Sequence, residues 1–112
     1  MKKIEAIVRT FKLEDIVQRL RAMGVTGMTV TDVLGVSPGT ATQNVFRGHR
    51  YTTESAPRYH LMIVVDDDAV DGVIRAIRVA GTTESPGDGI ITVGDVDAVV
   101  RVRTGETGTA AL

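Results

Sequence analysis

Two arginines one residue apart, Arg101 and Arg103 in the run Arg101-Val102-Arg103-Thr104-Gly105-Glu106, carry the strongest chemical signal in the chain. On a strand the side-chain period is two, so both guanidiniums would face one side and could grip phosphate oxygens together. A solvated edge strand fits the same spacing. The second signal is Gly87-Asp88-Gly89. A glycine on each side permits positive φ and close approach to a ligand, and successive exposed N–H groups can cradle an anion. An ordinary turn before a strand is the plainer reading of those three residues. Other candidates are weaker. His49 and His60 are the only histidines, and they have no HxxxH spacing and no cysteine partner, so no metal site is expected. Asp66, Asp67 and Asp68 suit a helix start better than a hard cation. Ser55 and Ser85 have no histidine and acid in a recognisable arrangement, so no catalytic residue is assigned and an enzyme is not expected.

The elements that must hold these residues follow from periodicity. Ile4–Val8 alternates as a strand. Leu13, Ile16, Val17 and Leu20 fall at i, i+3, i+4, i+7, one face of a helix, with Glu14 and Asp15 in its first turn and Gly24 as its stop. Met28–Leu34 is rich in β-branched residues. Residues 35–57 show no sustained period, and a stretch over about 15 residues long without structure tends to be functional. Arg58–Val65 ends in a continuous apolar run, as for a strand covered on both faces. Val70, Val73, Ile74 and Ile77 repeat the helical stripe, Gly81 repeats the glycine stop, residues 82–89 form a turn-rich connector, and Ile90–Val93 is a further strand. Val96–Val102 is expected as a short helical turn and an edge strand, with 104–112 a mobile tail. Strand–helix–strand thus occurs twice. The predicted fold is α+β: a ferredoxin-like βαββαβ sandwich with a long loop between strands 2 and 3. The sheet face away from the helices is expected to be apolar and buried in a homotrimer.

Composition narrows the classes. The chain has 112 residues, one domain's worth, with 43% hydrophobic residues and a net charge of −1. That charge gives no footprint for nucleic acid or an anionic membrane. There is no cysteine, which excludes thiol catalysis and fits a reducing, cytoplasmic setting. No apolar run approaches the ~18 residues of a membrane span.

The opening Met1-Lys2-Lys3-Ile4-Glu5-Ala6-Ile7, Phe11-Lys12-Leu13, the run from Gly24 to Gly35, and Arg101 to Glu106 resemble the PII signal-transduction proteins over nearly the whole chain. The resemblance implies a trimeric regulator that binds an adenine nucleotide (ATP, ADP or AMP) between subunits. It also implies control of a transporter, enzyme or transcription factor through the 35–57 loop. It assigns Ile7, Gly27, Thr29, Gly35 and Val64 to the adenosine side. Ser37, Gly87, Asp88, Gly89, Arg101 and Arg103 complete the nucleotide site. Tyr51 matches a tyrosine that is uridylylated in many members, although the flanking Phe46 and His49-Arg50 differ from the family pattern. Arg58 replaces a lysine that pairs with the carboxylate of 2-oxoglutarate.

Several positions depart from the family. Ile90 stands where a phosphate-reaching lysine is usual, Met62 where a glutamate is usual, and Glu84 and Ser85 where glycine and lysine are usual. Gly39 replaces the glutamine that helps hold Mg²⁺ and 2-oxoglutarate. The expected function is therefore a PII-type nucleotide-responsive regulator that lacks the usual Mg-ATP/2-oxoglutarate response. The alternatives are a divergent sensor of ADP, AMP or a small anion such as bicarbonate, in a transport or carbon-assimilation setting, and a ligand-free trimeric scaffold.

Overall fold

Alternation along the first strand survives folding intact. In the computed structural model, Ile4, Ala6 and Val8 of β1 (Lys2–Arg9) are buried, while the residues between them are only partly so. The structure describes residues 1–36 and 55–112 in full and, between them, the backbone of 43–46 and 49–52. A 3-10 turn, Thr10–Lys12, leads into α1 (Leu13–Ala22). Next come β2 (Thr29–Val36), the hairpin β3 (Gln43–Phe46) and β4 (His49–Thr52), and β5 (Ser55–Val65). After the 3-10 turn Asp67–Ala69, α2 (Val70–Gly81) leads to β6 (Gly89–Asp95), and a last 3-10 turn spans Gly108–Ala111. The main sheet is antiparallel in the order β2-β5-β1-β6, and β3 and β4 pair separately. This is the expected ferredoxin-like α+β arrangement, with a hairpin inserted between β2 and β5.

The two helices cover one sheet face. Ile16 and Leu20 of α1 and Val73, Ile77 and Ala80 of α2 close over Ile4, Ala6, Val8, Leu61, Ile63 and Val65. Burying each large aliphatic side chain contributes about 1.5–3 kcal/mol. The end of α1 is fixed by Gly24 at φ +95. Gly24 N–H donates to the Arg21 carbonyl at 3.0 Å and Val25 N–H to the Leu20 carbonyl at 3.0 Å, a Schellman closure. Gly81 does something else. It is the last residue of α2, and a Cβ there would meet Ile16 Cδ1 at 3.3 Å. Its role is close helix packing and not a left-handed stop.

Four other expectations change. The unperiodic stretch is shorter than 35–57, because β2 continues to Val36 and β5 begins at Ser55, with Val36 paired to Ser55. Asp66 makes no side-chain cap; its carboxylate accepts from Thr109 Oγ1 at 3.0 Å, and Asp67 pairs with the Met1 amine at 2.8 Å. The tail is held and not loose: Ala111 is buried, and Arg101 Nη2 donates to the Leu112 carbonyl at 3.1 Å. The sheet face away from the helices is mixed and not uniformly apolar. By register and alternation, Lys3, Glu5, Arg9, Arg58, His60 and Thr31 share it with Ile7, Met62, Val64 and Ile90. On that face Glu5 pairs with Lys3 at 3.1 Å and approaches His60 Nε2 at 3.4 Å.

Candidate functional site

The connector between α2 and β6 is organised by one carboxylate. Asp88 accepts from Thr83 N–H at 2.7 Å, Glu84 N–H at 3.0 Å and Thr82 Oγ1 at 3.1 Å, and also from the Thr83 hydroxyl. Arg9 Nε closes the set at 2.9 Å. The hydroxyl and N–H of Thr83, then Arg9, hold the Asp88 carboxyl well below the usual carboxylate range. Asp88 therefore points into its own connector and shapes the turn. The glycines beside it are obligatory. Gly87 and Gly89 have φ +97 and +116, and a Cβ on Gly89 would fall 1.8 Å from the Ile7 carbonyl oxygen. Glu84 also sits at positive φ, +64, with no glycine's freedom.

Arg9 escaped the sequence reading. It is the last residue of β1 and lies opposite Arg58 of β5, a cross-strand register that the sequence pattern alone does not display. Arg9 Nη2 donates to the Pro86 carbonyl at 2.9 Å. Arg58 donates to the carbonyls of Pro57 at 2.9 Å and Gly87 at 3.3 Å. Burial, then the neighbouring Arg9 charge, lowers the Arg58 pKa. Gly35 belongs to this group, since a Cβ there would lie 3.1 Å from Arg58 Cγ. Ile7 pairs with Ile90, and both line a cavity of about 900 Å³ together with Glu84, Asp88 and Gly89. Ile90 is 62% exposed and brings no charge to that cavity, which Arg75 and Arg78 of α2 also line.

The remaining residues gather elsewhere. Gly27, Thr29, Val64 and Arg101 line a separate cavity of about 690 Å³, with Met62 opposite Thr29 in register. Arg101 and Arg103 do not lie on an edge strand. Arg101 N–H donates to the Glu106 carbonyl and Gly105 N–H to the Arg101 carbonyl, both at 2.8 Å, closing a tight turn around an isolated Val100–Thr107 bridge. Arg103 is exposed on that turn and has no polar partner among the described residues. Ser37 lies outside the described residues, as do Gly39 and the side chain of Tyr51, whose backbone is in β4.

The two groups occupy diagonally opposite corners of the sheet. Arg58 and Val64 are six residues apart on β5, which is about 20 Å at strand rise. The second cavity begins at β2 and the glycine turn leads into β6, and these are opposite edges. One copy of the chain does not bring Gly87–Gly89 together with Gly27, Thr29 and Arg101. Among the described residues no cluster of metal-ligating side chains occurs, and no helix is long and apolar enough to cross a membrane.

The family model described as nitrogen regulatory protein P-II matches residues 1–106. The chain belongs to that family. It is 43% identical over 112 residues to a nitrogen regulatory protein P-II of Mesorhizobium japonicum, with all of both chains covered. It is 44% identical over the same length to one from Pasteurella multocida, and 43% identical to nitrogen regulatory protein P-II 1 of Escherichia coli K12, again with both chains wholly covered. Membership in the P-II family makes this a signalling protein of nitrogen regulation. The P-II match takes in every candidate site residue, including those at both corners.

Proposed function

We propose that this protein is a P-II regulator that binds an adenine nucleotide between copies of a homotrimer and passes its occupancy to a partner protein through residues 35–57. The observation that carries this reading is the division of the site. A phosphate-type glycine turn sits at one corner of the sheet, while a cavity and an arginine turn sit at the other, so each half needs a second chain to complete it. Gly87, Gly89, Ile7 and Gly35 would come from one copy, and Gly27, Thr29, Val64, Arg101 and Arg103 from its neighbour. Arg58 lies next to Gly35 at the base of the 35–57 segment and donates to the Gly87 carbonyl, so the phosphate turn and that segment share one side chain. Nucleotide and partner then compete for, or share, one state of the segment, which is a linkage between two binding equilibria.

The chemistry of the phosphate end favours the inner part of the nucleotide. Beside the glycine turn Ile90 offers no charge, and Glu84 adds a negative one to a cavity whose cations, Arg75 and Arg78, come from α2. ADP therefore binds about as well as ATP, and AMP binds too. The 2-oxoglutarate response is weakened, since Arg58 and Arg9 are both engaged with carbonyls and Asp88, and Gly39 has no side-chain oxygen for Mg²⁺. The deciding experiment is light scattering followed by calorimetric titration with ATP, ADP and AMP, each with and without Mg²⁺ and 2-oxoglutarate. A trimer that binds ATP and ADP within about tenfold of each other, with no gain from 2-oxoglutarate, is the expected result. A monomer, or a trimer that binds no adenine nucleotide, overturns the reading. A clear gain in ATP affinity at saturating 2-oxoglutarate restores the ordinary family response.

A further inference from the structure

Methionine occurs four times in this chain, at positions 1, 23, 28 and 62. Three of the four, Met23, Met28 and Met62, line one cavity of about 690 Å³, the one bounded by Thr29, Val64 and Arg101. None of the three is in the fully buried core. Met23 is 42% exposed, and its methyl end reaches α2, where a Cβ on Gly72 would lie 3.0 Å from it. Met28 and Met62 are half-buried. With no cysteine present, these thioethers and that of Met1 are the chain's only sulfurs.

We propose that this cavity is a methionine-oxidation site, in which a peroxide converts its thioethers to sulfoxides and thereby excludes the nucleotide base. The proposal rests on reading the cavity as the base-binding half of the nucleotide site. The thioether sulfur attacks one peroxide oxygen, the O–O bond breaks and an S–O bond forms. Sulfur is oxidised by two electrons, and the other oxygen takes up a proton and leaves as water. A flexible apolar side chain becomes a polar, chiral one. An aromatic ring packs well against a thioether, but it leaves a sulfoxide oxygen without a donor. Exposure grades the reaction: Met23 at the more open position reacts first, and Met28 and Met62 more slowly.

The test oxidises the intact protein with hydrogen peroxide, maps each sulfoxide by peptide mass spectrometry and titrates ATP calorimetrically before and after. A parallel sample is oxidised in the presence of ATP. Expected results are a rise in the ATP Kd of about tenfold or more, recovery after methionine sulfoxide reductase with a dithiol reductant, and protection of Met28 and Met62 by bound ATP. A Met23→Leu/Met28→Leu/Met62→Leu variant is compared only with its own untreated sample, and its ratio should stay near one. Met-to-Leu swaps conserve volume and are well tolerated in packed sites, and the protection map on the unsubstituted protein serves as a measurement independent of that variant. ATP binding unchanged with Met28 and Met62 fully oxidised, or lost to peroxide even in the triple variant, overturns the oxidation proposal while the nucleotide reading stands. An untreated trimer that binds no ATP overturns the nucleotide reading and this proposal with it.

Discussion

Glu84 offers a perturbation in which backbone and charge can be separated. Its φ of +64 is a left-handed conformation that costs a side-chain-bearing residue about 1–2 kcal/mol. The conformation persists because Asp88 holds the Glu84 N–H at 3.0 Å and Thr82 Oγ1 accepts from the same N–H at 3.2 Å. Glu84→Gly removes the strain but gives the unfolded chain about 0.5–1 kcal/mol more entropy to lose. The expected net gain is about 0.5–1 kcal/mol, a rise in Tm of roughly 2–4 °C for a chain of this size. Glu84→Ala keeps the Cβ and therefore the strain, and its Tm should stay within about 1 °C of the parent. Both variants remove the same carboxylate from the 900 Å³ cavity. Both should therefore raise the ATP-to-ADP preference by a similar factor, up to about tenfold. The assays are thermal unfolding by circular dichroism at one fixed protein concentration, because assembly makes Tm concentration-dependent, and calorimetric titration of ATP and ADP. A glycine variant no more stable than the alanine variant would refute the strain argument. Different nucleotide preferences in the two variants would show that the charge is not what acts.

Three further outcomes are expected. Replacing Arg101 or Arg103 with Ala should weaken ATP binding by about 1.5–3 kcal/mol in calorimetry while light scattering still reports the parent's assembly; parental affinity in both variants removes the phosphate role. Ile90→Lys should strengthen ATP binding more than ADP binding, and equal gains for both would mean that the new charge does not reach the outer phosphate. Asp88 titrates below its unfolded value near 3.9, so its contribution to stability is complete above about pH 5 and is lost as pH falls further. Asp88→Asn should therefore flatten the acid limb of the stability–pH curve measured by urea unfolding, and an unchanged acid limb would mean that the connector does not depend on that carboxylate.

Much of the architecture is local and so was legible in residue order. The i, i+3, i+4, i+7 stripes of α1 and α2, the alternation of β1 and the glycine stop at Gly24 depend on neighbours within one turn or one strand, where period and propensity act directly. The glycine turn at 87–89 was legible for the same reason, since positive φ is a property of the residue itself. Tertiary structure decided what depends on register and distance. Arg9 joins the glycine turn only because antiparallel pairing sets it opposite Arg58 and within reach of Asp88. Asp88, readable as a ligand contact, turned inward because five donors from the connector and β1 converge on it. Arg101 and Arg103, spaced for one face of a strand, landed on a turn because the 105–106 backbone folds back to hydrogen-bond with Arg101. The separation of the site into two corners could not be read from a linear chain at all. It follows from the order β2-β5-β1-β6, which sets β2 and β6 at opposite edges and leaves each half of the site open to another molecule.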